Sequence, residues 1–300
     1  MRDAVKKYYP FTGRTLDLDG LAYHYLDEGT GAPVVMVHGN PSWSFYYRNL
    51  VLALRDNYRC IVPDHIGCGF SDKPGDDRYD YTLSRRIDDL ERLIDSLDLQ
   101  GKITLVVHDW GGMIGMGYAS RHPERIGRIV VLNTAAFHLP KEKTFPLGLK
   151  ICRDTMLGTL LVRGFNAFSV GASIVGCKKN PMSQELMHAY RAPYDSWQNR
   201  IATLRFVQDI PLAPGDRGYD LVSEIANGLD RFRDLPMAIF WGELDFVFDT
   251  TFLAEWQRRF PKAQVKSYPD AGHYILEDMK EEVVPMIVQF LQQTETAETA

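Results

Sequence analysis

Cysteine is scarce and scattered: Cys60, Cys68, Cys152 and Cys177 are the four in 300 residues, and no two form a CxxC pair. That spacing excludes a disulfide scaffold and fits reduced thiols in a cytoplasmic protein. An excess of positive charge is also missing. Lys and Arg number 34 against 39 Asp and Glu, a formal net charge of -5, and there is no basic run. No nucleic-acid partner is expected from such a balance. No apolar run reaches the roughly 18 residues of a membrane span. The opening segment 1–9 is charged and aromatic rather than basic then apolar, unlike a signal peptide. Internal repeats are absent, and only the end, 292–300, is poor in apolar residues, a segment expected to fray.

What is present is an ordinary globular composition, 45% apolar and 24% charged, in a chain long enough to bury a large core without staples. Residues 14–17 and 21–25 alternate in polarity around Asp19-Gly20, a hairpin signal. Short β-branched or apolar runs follow at 34–37, 61–62, 103–107, 129–132, 237–240 and 265–268, with helical stretches such as 85–97 and 113–120 between them. Runs of this kind suit strands covered on both faces. The alternation predicts a mostly parallel, doubly wound α/β sheet led by an antiparallel hairpin. From about Phe137 to Arg217 no buried strand is legible, only apolar-aromatic helical patches at 156–168 and 196–207. This predicts a helical cap, 137–217, inserted after the sixth strand into a core formed by 1–136 and 218–300.

In such sheets the working residues sit just past the strand ends. Val106-Val107-His108-Asp109-Trp110-Gly111-Gly112 lies between a buried run and a helix. A nucleophile elbow needs that tight turn with small residues behind it, and here the exposed position is Asp109, where serine esterases carry serine. An aspartate there also suits a helix cap. His38-Gly39-Asn40-Pro41 follows an earlier strand; it would supply one backbone N–H to an oxyanion, from Asn40, and Trp110 the other. Asp270-Ala271-Gly272-His273 follows the last strand and places His273 where the order nucleophile, acid, histidine requires a base. Trp241-Gly242-Glu243-Leu244-Asp245 offers the acid, with Asp245 favoured by position over Glu243 and Asp249. The alternative place, Asn133-Thr134-Ala135-Ala136, has no carboxylate. His38 and His108 are expected to be structural. A carboxylate is ionised at neutral pH and attacks an electrophilic carbon directly, forming a covalent ester. The expected substrate has a leaving group or a strained ring, and no cofactor or metal is expected.

With those motifs stated, the chain resembles the haloalkane dehalogenase group of α/β-hydrolases over nearly its whole length. His38-Gly39-Asn40-Pro41 and His108-Asp109-Trp110-Gly111 carry the resemblance, together with Asp64-His65-Ile66-Gly67-Cys68-Gly69 and Ser71-Asp72-Lys73-Pro74. It implies Asp109 as nucleophile, His273 as base, Asp245 as acid and the side chains of Asn40 and Trp110 as the halide-holding pair, the pattern of the family's third subgroup. The wording from Gly39 to Arg48, and Ala192-Pro193-Tyr194-Asp195-Ser196-Trp197-Gln198-Asn199-Arg200, is similar to one branch of that subgroup. These are the β-lactone decarboxylases of bacterial long-chain olefin biosynthesis. That branch implies conversion of a cis-3,4-dialkyl β-lactone to a cis-alkene and carbon dioxide, with the β-lactone synthetase of the same pathway as a partner. Haloalkane dehalogenation is the alternative. Epoxide hydrolysis would need two cap tyrosines, for which Tyr190 and Tyr194 are available. Fluoroacetate dehalogenases carry Arg where this chain has Trp110, and a dead binding module of the same fold would not need an intact catalytic set. Cap residues Met156, Leu160, Leu161, Phe165, Phe168 and Trp197 are candidates to line a tunnel for alkyl chains.

Overall fold

The computed structural model describes residues 5–298. Residues 1–4 and 299–300, which include part of the opening segment and of the tail read above, lie outside the described residues. Eight strands form one sheet in the order β1-β2-β4-β3-β5-β6-β7-β8. They are β1 (Arg14–Asp17), β2 (Ala22–Glu28), β3 (Ala32–Val37), β4 (Tyr58–Pro63), β5 (Ile103–Asp109), β6 (Ile126–Thr134), β7 (Met237–Gly242) and β8 (Gln264–Tyr268). β2 runs antiparallel to both β1 and β4, and all other neighbours are parallel. The central strands β5 and β6 are buried at every position. Their Val, Ile and Leu runs therefore read as continuous rather than alternating, because helices cover both faces.

The covering helices include α1 (Arg48–Leu54), α2 (Leu83–Ser96) and α3 (Trp110–Arg121), then α4 (Leu147–Asp154), α5 (Ala167–Val175), α6 (Gln184–Arg191) and α7 (Ile201–Gln208) in the long connection from β6 to β7. After these come α8 (Tyr219–Gly228), α9 (Thr250–Arg259) and α10 (Lys280–Glu298). α2 shows how the pattern works. Thr82 caps it by accepting the Arg85 N–H, and Leu83, Ile87, Leu90 and Ile94 recur at helical spacing and are buried.

One expectation is corrected and another refined. The patch at 156–168 is helical as expected but broken: a short helix Met156–Thr159 runs into a π-turn, Leu160–Gly164, and Asn166 at φ 53° interrupts the chain before α5. The tail expected to fray instead continues α10 as far as Glu298, since Val283, Val284, Ile287, Phe290 and Leu291 of that helix are buried and anchor it. Among the described residues no single helix is long and apolar enough to cross a membrane.

Candidate active site

β5 ends at Asp109 and α3 begins at Trp110, with no loop between them. The reversal is carried by Asp109 itself, at φ 52° and ψ -129°. Such a conformation costs a side-chain-bearing residue about 1–3 kcal/mol and persists only where the surroundings hold it. They do so by omission: a Cβ at Gly111 would overlap the Val37 carbonyl, and one at Gly112 would overlap Thr134 Oγ1. The Asp109 side chain does not cap α3. Its Oδ1 instead accepts the Asn40 backbone N–H at 2.6 Å, so the loop after β3 and the elbow after β5 meet at one carboxylate. Gly39 is required for that meeting, because a Cβ there would overlap the carboxyl group.

His273 lies between β8 and α10, with Nε2 3.7 Å from Asp109 Oδ2 and Nδ1 2.7 Å from Asp245 Oδ2. Asp245 follows β7, and its other oxygen accepts the Val247 N–H at 2.8 Å. Asp249, a rival for the acid, caps α9 through the Thr251 N–H and pairs with Lys143. The residue that sequence reasoning set aside proves to belong to the site. Asn133, at the end of β6 with φ 30°, donates Nδ2–H to Asp245 Oδ2 and to the Gly242 carbonyl, each at 3.0 Å. It also accepts the Gly242 N–H at 2.8 Å. It was missed because only a carboxylate was sought there. His108 is a support as well: its Nε2 donates to the His273 carbonyl at 3.0 Å, and its ring stacks on Tyr46 with centroids 4.2 Å apart.

Burial dominates the electrostatics. It pushes the Asp109 carboxyl above the ordinary range, and the nearby His273 with the backbone N–H groups of Asn40 and Trp110 acts against it. For His273 burial is again the largest influence and favours the neutral ring. Asp245, by charge and hydrogen bond, and Asp109 together outweigh it and raise the value. The imidazole is thus oriented from one side by Asp245, with its protonated form favoured, while Nε2 faces Asp109. Burial lowers His38, His65 and His108, and for the first two it outweighs the opposing charge of Asp64.

α7 reaches over this cluster from the connection between β6 and β7. Its Thr203 carbonyl accepts Asn40 Nδ2–H at 3.0 Å, and its Phe206 ring lies 5.5 Å from Trp110. Asp209, at the end of the same helix, pairs with the fully buried Arg86 of α2 at 3.0 Å, whose guanidinium covers Phe206 at 3.7 Å. Behind the loop after β3, Asp64 accepts the N–H groups of Ser44 and Phe70 and bonds His24. That is the work of the Asp64–Gly69 motif.

Asp109, His273, Asn40 and Trp110 open on a cavity with about 1050 Å³ of empty space, including the part open to solvent. His138 is its one further ionisable lining group; Met113, Phe137, Leu149, Phe168, Val207 and Phe248 typify the rest. Of the residues proposed to line a tunnel, Phe168 does so. Met156, Leu160, Phe165 and Trp197 do not: they are 83%, 49%, 69% and 41% exposed, and Leu161 is absent from the lining. Nor do Tyr190 and Tyr194 face the cavity. Both are buried, with their hydroxyls on Glu277 and on the Ser42 carbonyl, so the epoxide-hydrolase reading loses its proton donors. The arrangement can present a carboxylate oxygen to an electrophilic carbon in a mostly apolar space, with an oriented imidazole beside it.

Comparison with known proteins extends these findings. Residues 32–149 match the model of the α/β hydrolase fold. A cis-3-alkyl-4-alkyloxetan-2-one decarboxylase from Shewanella oneidensis is 63% identical over 97% of this chain and 91% of its own. Haloalkane dehalogenase 2 from Mycobacterium bovis is 30% identical over 94% and 95%. The solved haloalkane dehalogenase of Bradyrhizobium elkani superposes with a TM-score of 0.83 at 26% identity, over 96% of this chain and 99% of that one.

Proposed function

The chain belongs to the family of the cis-3-alkyl-4-alkyloxetan-2-one decarboxylases, within the haloalkane dehalogenase-like α/β-hydrolases, and we propose that it converts a cis-3,4-dialkyl 2-oxetanone into a cis-alkene and carbon dioxide. The observation that carries this reading is the contrast in likeness, 63% to the decarboxylase against 30% to the dehalogenase. The apolar cavity supports it, since its lining suits two alkyl chains better than a small polar substrate.

In this reading Asp109 attacks ring carbon C4 and the C4–O1 bond breaks, leaving an alkyl ester on Asp109 and a free carboxylate on C3. The carboxylate then departs as carbon dioxide, its C–C bonding pair forms the C3–C4 double bond, and Asp109 leaves with its own oxygen. Inversion at C4 followed by anti elimination delivers the cis-alkene from the cis-lactone, and no water is consumed. His273, held by Asp245, stabilises the returning Asp109 carboxylate as an imidazolium. The Trp110 indole N–H and the Asn40 amide hydrogen not given to Thr203 hold the carboxylate released from the ring. The helices of residues 137–217 act as a cap that excludes water, which would otherwise hydrolyse the ester. We place the enzyme in the cytoplasm, where it would receive its insoluble lactone from the β-lactone synthetase; co-purification of the two tests that pairing.

A proton NMR time course with a synthetic cis-3,4-dialkyl 2-oxetanone tests the reaction. Cis-alkene is expected. Ring-opened hydroxy acid would make the protein a lactone hydrolase, and an untouched lactone with halide release from a bromoalkane would make it a dehalogenase.

A further inference from the structure

Between Asp154 and Lys178 the chain carries a single charge, Arg163. Such a stretch normally disappears into a core, yet here it is turned outward. Leu147, Met156, Leu157, Leu160, Phe165 and Ile174 are all between 49% and 83% exposed. No single helix in it is long enough to cross a membrane: Met156–Gly164 and Ala167–Val175 meet at a 71° bend. It lies alongside the cavity instead. α4 lines that cavity with Leu149 while Leu147 points to solvent, and α5 lines it with Phe168 and Ala172 while Ile174 faces out. Both helices are therefore apolar on two sides, one toward the substrate space and one toward the outside. On the cavity rim, Phe246 is 45% exposed as well.

Charge is distributed to match. Residues 137–217 carry eleven Lys and Arg against six Asp and Glu, although acidic residues outnumber basic ones in the whole chain by 39 to 34. Lys150 and Lys178 stand exposed at the two ends of the apolar stretch, and Arg163 lies over the half-exposed Trp197 ring at 4.7 Å. An apolar face with cations at its borders and an indole-guanidinium pair fits an interface where acyl chains meet anionic headgroups.

We propose that the outer face of α4, the 156–165 turn and α5 docks on a lipid bilayer bearing anionic headgroups, so that a lactone dissolved in the membrane enters the cavity without crossing water. The bilayer is the occupant because the face is both apolar and cation-bordered on an otherwise acidic protein, whereas a second copy would set one cationic face against another. Only the identity of the lipophilic substrate rests on the decarboxylase reading; the docking face does not.

Flotation of the full-length protein with vesicles of phosphatidylcholine, with and without phosphatidylglycerol, tests this. The wild type should float with the anionic vesicles, less so as salt rises. The double variant Met156→Glu/Phe165→Glu should lose binding by about tenfold or more. Both positions are exposed and outside the cavity, so turnover of a short-chain, water-soluble lactone should not change, while turnover of a long-chain lactone supplied in vesicles should fall. A wild type that does not float, or that floats equally well after the double substitution, overturns docking. So does a dimer that dissociates on the same substitution without any vesicle binding, or a protein partner that displaces vesicles at no cost to long-chain turnover. If the wild type floats but leaves the soluble lactone untouched, docking stands and the decarboxylase reading fails.

Discussion

Replacing Asn133 by alanine removes three hydrogen bonds from a position with no solvent exposure. Two of them go to the N–H and the carbonyl of Gly242, of which the carbonyl keeps the Asp245 N–H at 3.4 Å, and the third holds one oxygen of Asp245. Each bond is worth about 1 kcal/mol net, and a buried backbone group left unpaired costs about 1–3 kcal/mol. A loss of about 3–5 kcal/mol follows, which lowers the melting temperature of a chain this size by about 5–8 °C. Asp245 keeps His273 and the Val247 N–H, so the acid survives but its aim loosens. Misplacing a positioning group by about 1 Å costs on the order of a hundredfold in rate, and kcat should fall by about 10- to 100-fold at temperatures well below the melt. KM for the lactone should hold, because Asn133 does not line the cavity. Circular-dichroism melting and alkene formation on a soluble lactone measure the two effects. A variant that melts and turns over like the wild type would refute the assignment of Asn133 as the anchor of Asp245.

Gly39→Ala should abolish turnover, since its Cβ overlaps the Asp109 carboxyl; a variant at even a tenth of wild-type kcat would contradict that clash. Asp209 should make stability depend on pH. Burial raises its folded value from the ordinary 3.8 to about 6, against the pull of Arg86. The folded state then holds the proton more tightly than the unfolded chain, so stability falls as pH rises through that window, by up to about 3 kcal/mol. Denaturant unfolding of Asp209→Asn should lack this fall, and parallel curves for the two proteins would sink the idea. Burial also pushes Cys60 and Cys68 up to about 12 and raises Cys177 and the half-buried Cys152. Ellman's reagent at neutral pH should therefore find Cys152 first; rapid reaction of Cys60 or Cys68 in the native protein would contradict their burial.

Much of the fold was legible because its signals are local. The β-branched runs of β3, β5, β6 and β7 need no partner to be read as covered strands. The elbow also announces itself, since a chain must be short of side chains where strand and helix meet, as at Gly111 and Gly112. What was not legible depends on distant contacts. Nothing near Asn133 in sequence says that its amide reaches over to Gly242 and Asp245, and no local rule gives His108 the His273 carbonyl. The side-chain amide of Asn40 looked free for a substrate until α7 brought the Thr203 carbonyl to it. For the connection at 137–217 the failure is of another kind. Periodicity tells inside from outside only where one face is polar, and the 155–177 stretch, with Arg163 its one charge, has no polar face. Phe168, facing the cavity, and Phe165, facing solvent, cannot be told apart there from sequence.

The central claim is that Asp109 opens the lactone ring. It is tested most directly by following a soluble cis-3,4-dialkyl 2-oxetanone by proton NMR with the wild type and with Asp109→Ala, both shown to be folded by thermal unfolding. Cis-alkene is expected from the wild type, with a rate lower by at least about a thousandfold in the variant, because among the described residues no other carboxylate lines the cavity. Cis-alkene at a comparable rate from Asp109→Ala would contradict it.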